Sequence, residues 1–367
     1  MLHRGLLQRN LEILDKVQKE SGGKIILALK GFAMFSSFPQ IRKILQGTTA
    51  SSMAEAELGF EEFGGEVHTY FVAYKDSDFL NLAQRADHIT INSLSQWNRF
   101  KTLALPHDTK ASFGLRINPE YSEVETAIYN PCRVGSRFGI TADQLSSADL
   151  SGIEGLHFHT MCEQGSDTLE RTLEHVESKF GKHLHLMKWL NMGGGHHITR
   201  KGYDTDLLVE LIKHMREKYD LEVYLEPGEA VALNTGFLVT SVVDLFHSGN
   251  QEIAILDVSA SAHMPDVLEM PYRPEIIGGA EHGKKQFSYE LGGLTCLAGD
   301  IIGQWSFDTP LKIGKRLIFT DMAHYSMVKT TNFNGVHHPS IASYFPDSNK
   351  VEVCRNFGYE DYKSRLS

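Results

Sequence analysis

Apolar residues recur at Leu7, Leu11, Leu14 and Val17, the three-and-four spacing of a helix over residues 6–20. Gly22 and Gly23 end it. The run Ile25-Ile26-Leu27-Ala28-Leu29 follows, closed by Lys30-Gly31, and predicts a strand buried on both faces. From there short apolar runs alternate with helical periods. Strands are expected over 48–51, 67–73, 88–91, 112–117, 153–158, 184–191 and 222–225. Helices are expected over 39–46, 53–63, 77–85, 95–103, 141–147, 167–180 and 204–219. Strands alternating with helices imply a parallel sheet. Eight such units in about 200 residues imply an α/β fold of the (β/α)8 barrel type, assigned here to residues 1–231. A doubly wound sheet would carry a glycine-rich dinucleotide turn after its first strand, and Lys30-Gly31-Phe32 is not one. After Glu226 the alternation stops. Strands over 237–246, 252–257, 287–291, 316–319 and 350–354 predict a C-terminal all-β domain over 232–367.

Composition narrows the function classes. Of 367 residues, 41% are hydrophobic and 22% charged, as in an ordinary soluble domain, and no apolar run reaches the ~20 residues of a membrane span. A net charge of −10 argues against nucleic acid and suits cationic ligands. The apolar part of the first seven residues is too short for a signal peptide, so a cytoplasmic protein is expected. Cys132, Cys162, Cys296 and Cys354 lie far apart, which suggests neither a zinc site nor a disulfide framework.

Barrel enzymes carry their chemistry at the C-terminal ends of the strands. Lys30 stands there on the first strand; burial would lower its pKa and make it a nucleophilic amine. Arg116 is on the fifth strand. His157 and His159 alternate along the sixth, so one is expected to face the site, and His159 is nearer the rim. Gly193-Gly194-Gly195 follows the seventh strand, where barrels hold phosphate and bare backbone approaches an anion closely. Glu226 closes the eighth. His196 and His197 raise the question of a metal. Adjacent histidines rarely point the same way, and no carboxylate has metal-site spacing, so none is expected. An amine, a glycine cradle, a flat imidazole and a carboxylate together describe a site for pyridoxal 5′-phosphate.

These stretches also resemble a known family. They are residues 27–32 around Lys30, 114–121 around Arg116, Asn130-Pro131-Cys132 with 135–139, 191–197, and Glu226-Pro227-Gly228-Glu229. The others are 263–274, Cys296-Leu297-Ala298-Gly299-Asp300, Tyr325-Ser326-Met327 and Asn332-Phe333-Asn334-Gly335. The chain resembles, over nearly its whole length, the fold-type III pyridoxal phosphate decarboxylases, the alanine racemase-like group that includes ornithine and diaminopimelate decarboxylases. Within that group it is most similar to the branch acting on carboxynorspermidine and carboxyspermidine. The resemblance implies that Lys30 carries the cofactor, His159 stacks on its ring and Glu226 pairs with the ring nitrogen. Gly194, Gly195, Tyr325 and Arg116 become further cofactor contacts, and Cys296 the proton donor to carbon. Asp300, Asp266, Glu229 and His263 become substrate contacts for a carboxylated polyamine. A homodimer with shared active sites is implied, Cys296 and Asp300 reaching the opposite subunit's site.

Three positions depart from the family pattern. Glu229 stands where an arginine is usual, Leu297 where ornithine and diaminopimelate decarboxylases have an acid, and Cys162 where a phosphate-binding serine is usual. No leading strand is legible before the first helix, where the family begins with one that joins the β domain. The rival readings are decarboxylation of ornithine, lysine or diaminopimelate, a non-catalytic pyridoxal phosphate carrier, and a metal-dependent hydrolase using His157, His159, His196 and His197.

Overall fold

In the computed structural model, which describes residues 1–104 and 109–367, eight parallel strands close on themselves. They are β2 (Lys24–Ala28), β3 (Gly47–Ala50), β4 (Glu66–Tyr70), β5 (His88–Ile91), β6 (Ser112–Arg116), β7 (Ile153–His157), β8 (Trp189–Asn191) and β9 (Glu222–Leu225). Closure is made by β2 on β9, with Lys24 opposite Tyr224 and Ile25 opposite Leu225. The chain divides into two compact units, Asn10–Val231 holding the barrel, and Met1–Arg9 with Ala232–Ser367.

The barrel is packed by the pattern that predicted it. Ile26 and Leu27 are fully buried, as are Leu7, Leu11 and Leu14 of the helix Arg4–Ser21. Trp189, Ile26 and Tyr224 form a cluster, and the Trp189 indole donates to Ser112 Oγ at 2.9 Å. The indole leaves no room for neighbours: a Cβ on Gly155 or Gly114 would fall within its ring. The expected strand over 184–191 is shorter than its apolar content suggested. Leu184 ends the helix Ser166–Leu184 with its side chain fully buried, and only Trp189–Asn191 pair.

The second unit contains a six-stranded sheet in the order β12-β14-β13-β11-β10-β15. Its strands are β10 (Phe237–Ser248), β11 (Gln251–Leu256), β12 (Ala280–Glu281), β13 (Phe287–Gly292), β14 (Ile301–Phe307) and β15 (Arg316–Thr320). Leu256, Leu291, Trp305 and Phe319 lie in its core. β14 escaped the sequence reading because Gly303, at φ +140°, and Gln304 interrupt its alternation. A three-stranded sheet joins β1 (Leu2–His3) in parallel to β16 (Ile341–Phe345), which pairs with β17 (Lys350–Arg355). The leading strand thought to be missing is therefore present. At two residues it is too short for any periodicity to reveal.

The Trp189 packing yields a test. Gly155→Ala inserts a methyl group where the indole lies, and overpacking of this kind costs about 3 kcal/mol or more when nothing can give way. Urea denaturation should show that loss or no folded protein at all. Native stability would contradict the packing described.

Candidate active site

Lys30 lies in the turn just beyond β2. The turn is pinned at its base, where Ala28 N–H donates to Pro227 O at 3.2 Å and Leu29 N–H to Thr49 O at 3.1 Å. Gly31 sits so close to the β9 loop that a Cβ there would stand 3.1 Å from Glu229 N. The Lys30 side chain keeps accessible surface within this mouth. Its pKa is nonetheless lowered, first by the loss of solvation among surrounding protein and then by Arg116, against the opposing pull of Glu226, Cys162 and Glu55. The result is a reachable amine that gives up its proton more easily than an ordinary lysine.

Glu226 is the buried counter-charge, just past the end of β9. Asn191 Nδ2 donates to Oε1 at 2.7 Å, and His157 Nε2 lies 3.2 Å from Oε2. Burial alone would raise the carboxyl pKa; His157 and Asn191 outweigh it and hold the group down at about 2. His157 is 1% exposed, and its own pKa is lowered chiefly by burial. A neutral ring bonded to a carboxylate through Nε2 carries its proton there. The ring stacks on Tyr70, whose hydroxyl donates to Asn92 at 2.7 Å.

His159 lies beyond the end of β7, so the alternation that would have excluded one histidine stops short of it. His157 serves Glu226 while His159 takes a separate place. The Gly194 N–H donates to His159 Nδ1 at 3.0 Å, which leaves the proton on Nε2. Burial and then Lys30 and Arg116 press the His159 pKa well down, so the ring is neutral. Arg116 is 4% exposed, its guanidinium stacked between Tyr70 at 4.5 Å and Phe138 at 4.6 Å, and it donates to His159 O at 3.1 Å. No carboxylate among the described residues is bonded to it.

The glycine loop is shaped by compression. Gly193 and Gly195 have φ of +70° and +85°. Side chains at Gly193 and Gly195 would strike the backbone of Phe158 and Met161, and a Cβ on Gly194 would lie 2.5 Å from Glu226 O. One expectation changes here. The Gly194 N–H, assigned to phosphate, is committed to His159. His197 Nε2 meets Glu229 Oε1 at 3.2 Å, and Glu163 completes a group whose ligand-capable atoms all lie within 4.8 Å of one another. Carboxylates thus do approach His197, contrary to the spacing argument, while His196 Nε2 meets Met192 O at 3.2 Å. The sequence reading also passed over Asn191, Tyr70 and Glu55. Asn191 stood in a quoted motif, but nothing in one sequence marks a strand-end asparagine as a carboxylate's partner.

The remaining expected residues belong to the second unit. Cys296 is exposed on the loop between β13 and β14, and its N–H donates to Asn334 Oδ1 at 2.8 Å. Tyr325 holds a left-handed φ of +44°, a strained value for a tyrosine. Asp266 accepts from Lys329 Nζ at 2.5 Å. Two expected substrate contacts are placed differently. Asp300 is 3% exposed and accepts four hydrogen bonds, from Ser259 Oγ, Ser261 N, Thr295 N and Thr295 Oγ1, at 2.6 to 3.2 Å. That fills the capacity of a carboxylate and leaves nothing for an amine. His263 is 2% exposed and accepts from Ser259 N at 3.2 Å, closing a helical turn.

Comparison with known proteins now decides the family. The model described as "Pyridoxal-dependent decarboxylase, C-terminal sheet domain" matches residues 33–323. The chain belongs to the pyridoxal-dependent decarboxylase family. A carboxyaminopropylagmatine decarboxylase from Synechocystis sp. is 48% identical over the whole chain and 94% of its own length. A carboxynorspermidine/carboxyspermidine decarboxylase from Campylobacter jejuni is 43% identical over the whole chain and 97% of its length. The crystal structure of a Campylobacter jejuni carboxynorspermidine decarboxylase complexed with norspermidine superposes with a TM-score of 0.92, at 42% identity, covering all of this chain and 98% of that one. The protein is a pyridoxal-dependent carboxy-lyase with the barrel-plus-sheet fold of that family, and pyridoxal 5′-phosphate is its cofactor. The residues on the barrel rim fit that group: an accessible amine of lowered pKa, a hydrogen-bonded buried carboxylate, a neutral imidazole and a side-chain-free loop.

The amine's environment is directly measurable. In cofactor-free decarboxylase, competitive acetylation across about pH 7–11 with peptide mapping should place Lys30 below the ordinary lysine value. Lys24 should titrate above it, because Glu66 and Glu222 outweigh its burial. Lys30 titrating at or above Lys24 would refute the account of its surroundings.

Proposed function

We propose that this decarboxylase acts on a carboxylated polyamine of the carboxynorspermidine or carboxyspermidine type, releasing carbon dioxide and norspermidine or spermidine. The observation that carries the reading is full-length identity of 43% and 37% to two carboxynorspermidine/carboxyspermidine decarboxylases. A second reading has its own support: the relative at 48% identity is named for carboxyaminopropylagmatine, so a substrate ending in a guanidinium rather than an amine belongs in the same test. Ornithine, lysine and diaminopimelate have less. A diaminopimelate decarboxylase relative is 24% identical, and Leu297, where their acid would stand, is apolar and 45% exposed.

In this proposal Lys30 holds the cofactor, the neutral His159 lies against its ring, and Glu226 keeps a proton on the ring nitrogen. Gly195 and Tyr325 serve the phosphate. Arg116 adds the positive charge that Glu229 does not, and fixes His159 through its carbonyl. The bound cofactor supplies the sink for the electron pair left when the carboxylate departs. Cys296 delivers a proton to that carbon. Asp266 meets a substrate ammonium by exchanging it for Lys329. The working form is a cytoplasmic homodimer in which Cys296 serves the opposite subunit's site.

Two measurements test this. Glu226→Gln should bind the cofactor and lose about a hundredfold in kcat, roughly 2.7 kcal/mol of barrier; near-native turnover would remove Glu226 from its role. For specificity, a substrate cation without its charged partner forgoes about 1.5–3 kcal/mol, a ten- to hundredfold loss in kcat/KM. Carbon dioxide release from carboxynorspermidine and carboxyspermidine should exceed that from ornithine, lysine and diaminopimelate by at least that factor. Carboxyaminopropylagmatine as the best substrate would replace the first reading with the second, and ornithine or diaminopimelate as the best would overturn both.

A further inference from the structure

Three segments of the second unit are tied into a closed triangle, and Cys296 sits on one of its ties. The first is the short helix Ala260–His263 with its cap Ser259, the second the loop over 293–300 and the third the segment 331–335 with its turn Phe333–Gly335. Asp300 joins the first two by accepting from Ser259 Oγ and Ser261 N on one side and from Thr295 N and Oγ1 on the other. Thr331 N–H joins the third segment to the first through Ala262 O at 2.8 Å. Asn334 joins the third to the second through the Cys296 N–H at 2.8 Å. Asn334 makes this bond from a left-handed backbone, φ +54° and ψ +16°, a conformation asparagine tolerates better than most side chains. An N–H donor fixes which end of the amide faces Cys296: the oxygen. Gly335 continues the turn at φ +73°.

Asp300 is buried and saturated, whereas Cys296, Leu297, Ala298 and Gly299 between its two sides are all exposed. The loop tip is thus anchored at Thr295 by Asp300 and at Cys296 by Asn334. Asp300 N–H donates to Leu297 O at 2.9 Å, Ile301 N–H to Gly299 O at 2.8 Å and Leu297 N–H to Thr295 Oγ1 at 3.4 Å; these are local turns within the loop, and none of them ties Cys296 to another segment. We infer that Asn334 is a positioning residue for Cys296, and that the triangle closed by Asp300 fixes where the thiol is presented. The inference rests on the proposal that Cys296 donates the proton in turnover. It assigns the Asn332-Phe333-Asn334-Gly335 motif a task, and moves Asp300 from binding substrate to bracing the donor. No proton passes through Asn334, whose side chain accepts the Cys296 backbone N–H.

The variants follow from the backbone. Asn334→Gly keeps the left-handed turn and removes the acceptor; Asn334→Asp keeps both. Hydrogen–deuterium exchange on cofactor-free protein reads the tie itself. Asn334→Gly should speed exchange in the peptide over 293–300, and Asn334→Asp should restore native protection. In the holoenzyme, losing one such hydrogen bond should lower kcat about five- to tenfold with KM within about twofold, and Asn334→Asp should recover kcat. Unchanged kcat in Asn334→Gly despite faster exchange would overturn the positioning role, as would kcat and KM falling together without rescue by aspartate. Cys296→Ala separates the two layers. If it leaves kcat native, the assignment of the proton donor fails and the catalytic inference with it, while the exchange result still reports whether the tie exists.

Discussion

Glu226 keeps its negative charge inside the barrel because Asn191 and His157 each donate to one of its oxygens. A carboxylate taken this far from water costs several kcal/mol unless such bonds replace its hydration. The requirement fixes more than one residue. It sets the end of β7 by His157, the end of β8 by Asn191 and the exit from β9 by Glu226 itself. Between those ends only backbone fits, which is why the loop after β8 is three glycines. Glu226 N–H donating to Gly193 O at 2.8 Å closes the arrangement. Lys30 and Arg116 then face the same mouth, and the guanidinium adds to burial in lowering the lysine pKa, which frees the amine.

The number of donors around each acid separates Glu226, expected to face the cofactor ring, from Asp300, expected to face the substrate. Glu226 has two donors for about four acceptor positions, so it can take a further proton donor from a cofactor ring. Asp300 has four donors and is full. Both are almost completely buried, yet one is equipped to receive a ligand and the other to hold segments together. An acid four positions from a candidate cysteine does not reveal which of these it is; the count of neighbouring N–H and O–H groups does.

How much of this was legible follows from the same logic. Period and run length located all eight barrel strands, the unbroken apolar run at Ile25–Leu29 most plainly and the polar-containing Gly47–Ala50 and His88–Ile91 through the helices that flank them. Site types on the rim were legible too, since strand ends are where a barrel exposes chemistry. What was hidden depends on contacts distant in sequence. His157 and Glu226 are partners across 69 positions, and Cys296 and Asn334 across 38. β1 and β14 were hidden for local reasons, one too short and the other broken at Gly303. Glu229 illustrates the limit best. Its departure from the usual arginine was plain, but its pairing with His197 needed the folded barrel.

The central claim is that the amine of Lys30, lowered in pKa first by burial and then by Arg116, holds the cofactor opposite Glu226. Pyridoxal 5′-phosphate added to the purified protein, fixed by borohydride reduction and located by peptide mapping, tests it most directly. The account predicts one stoichiometric label, on Lys30. A label on Lys24 or on any other lysine, with Lys30 unmodified, would contradict it.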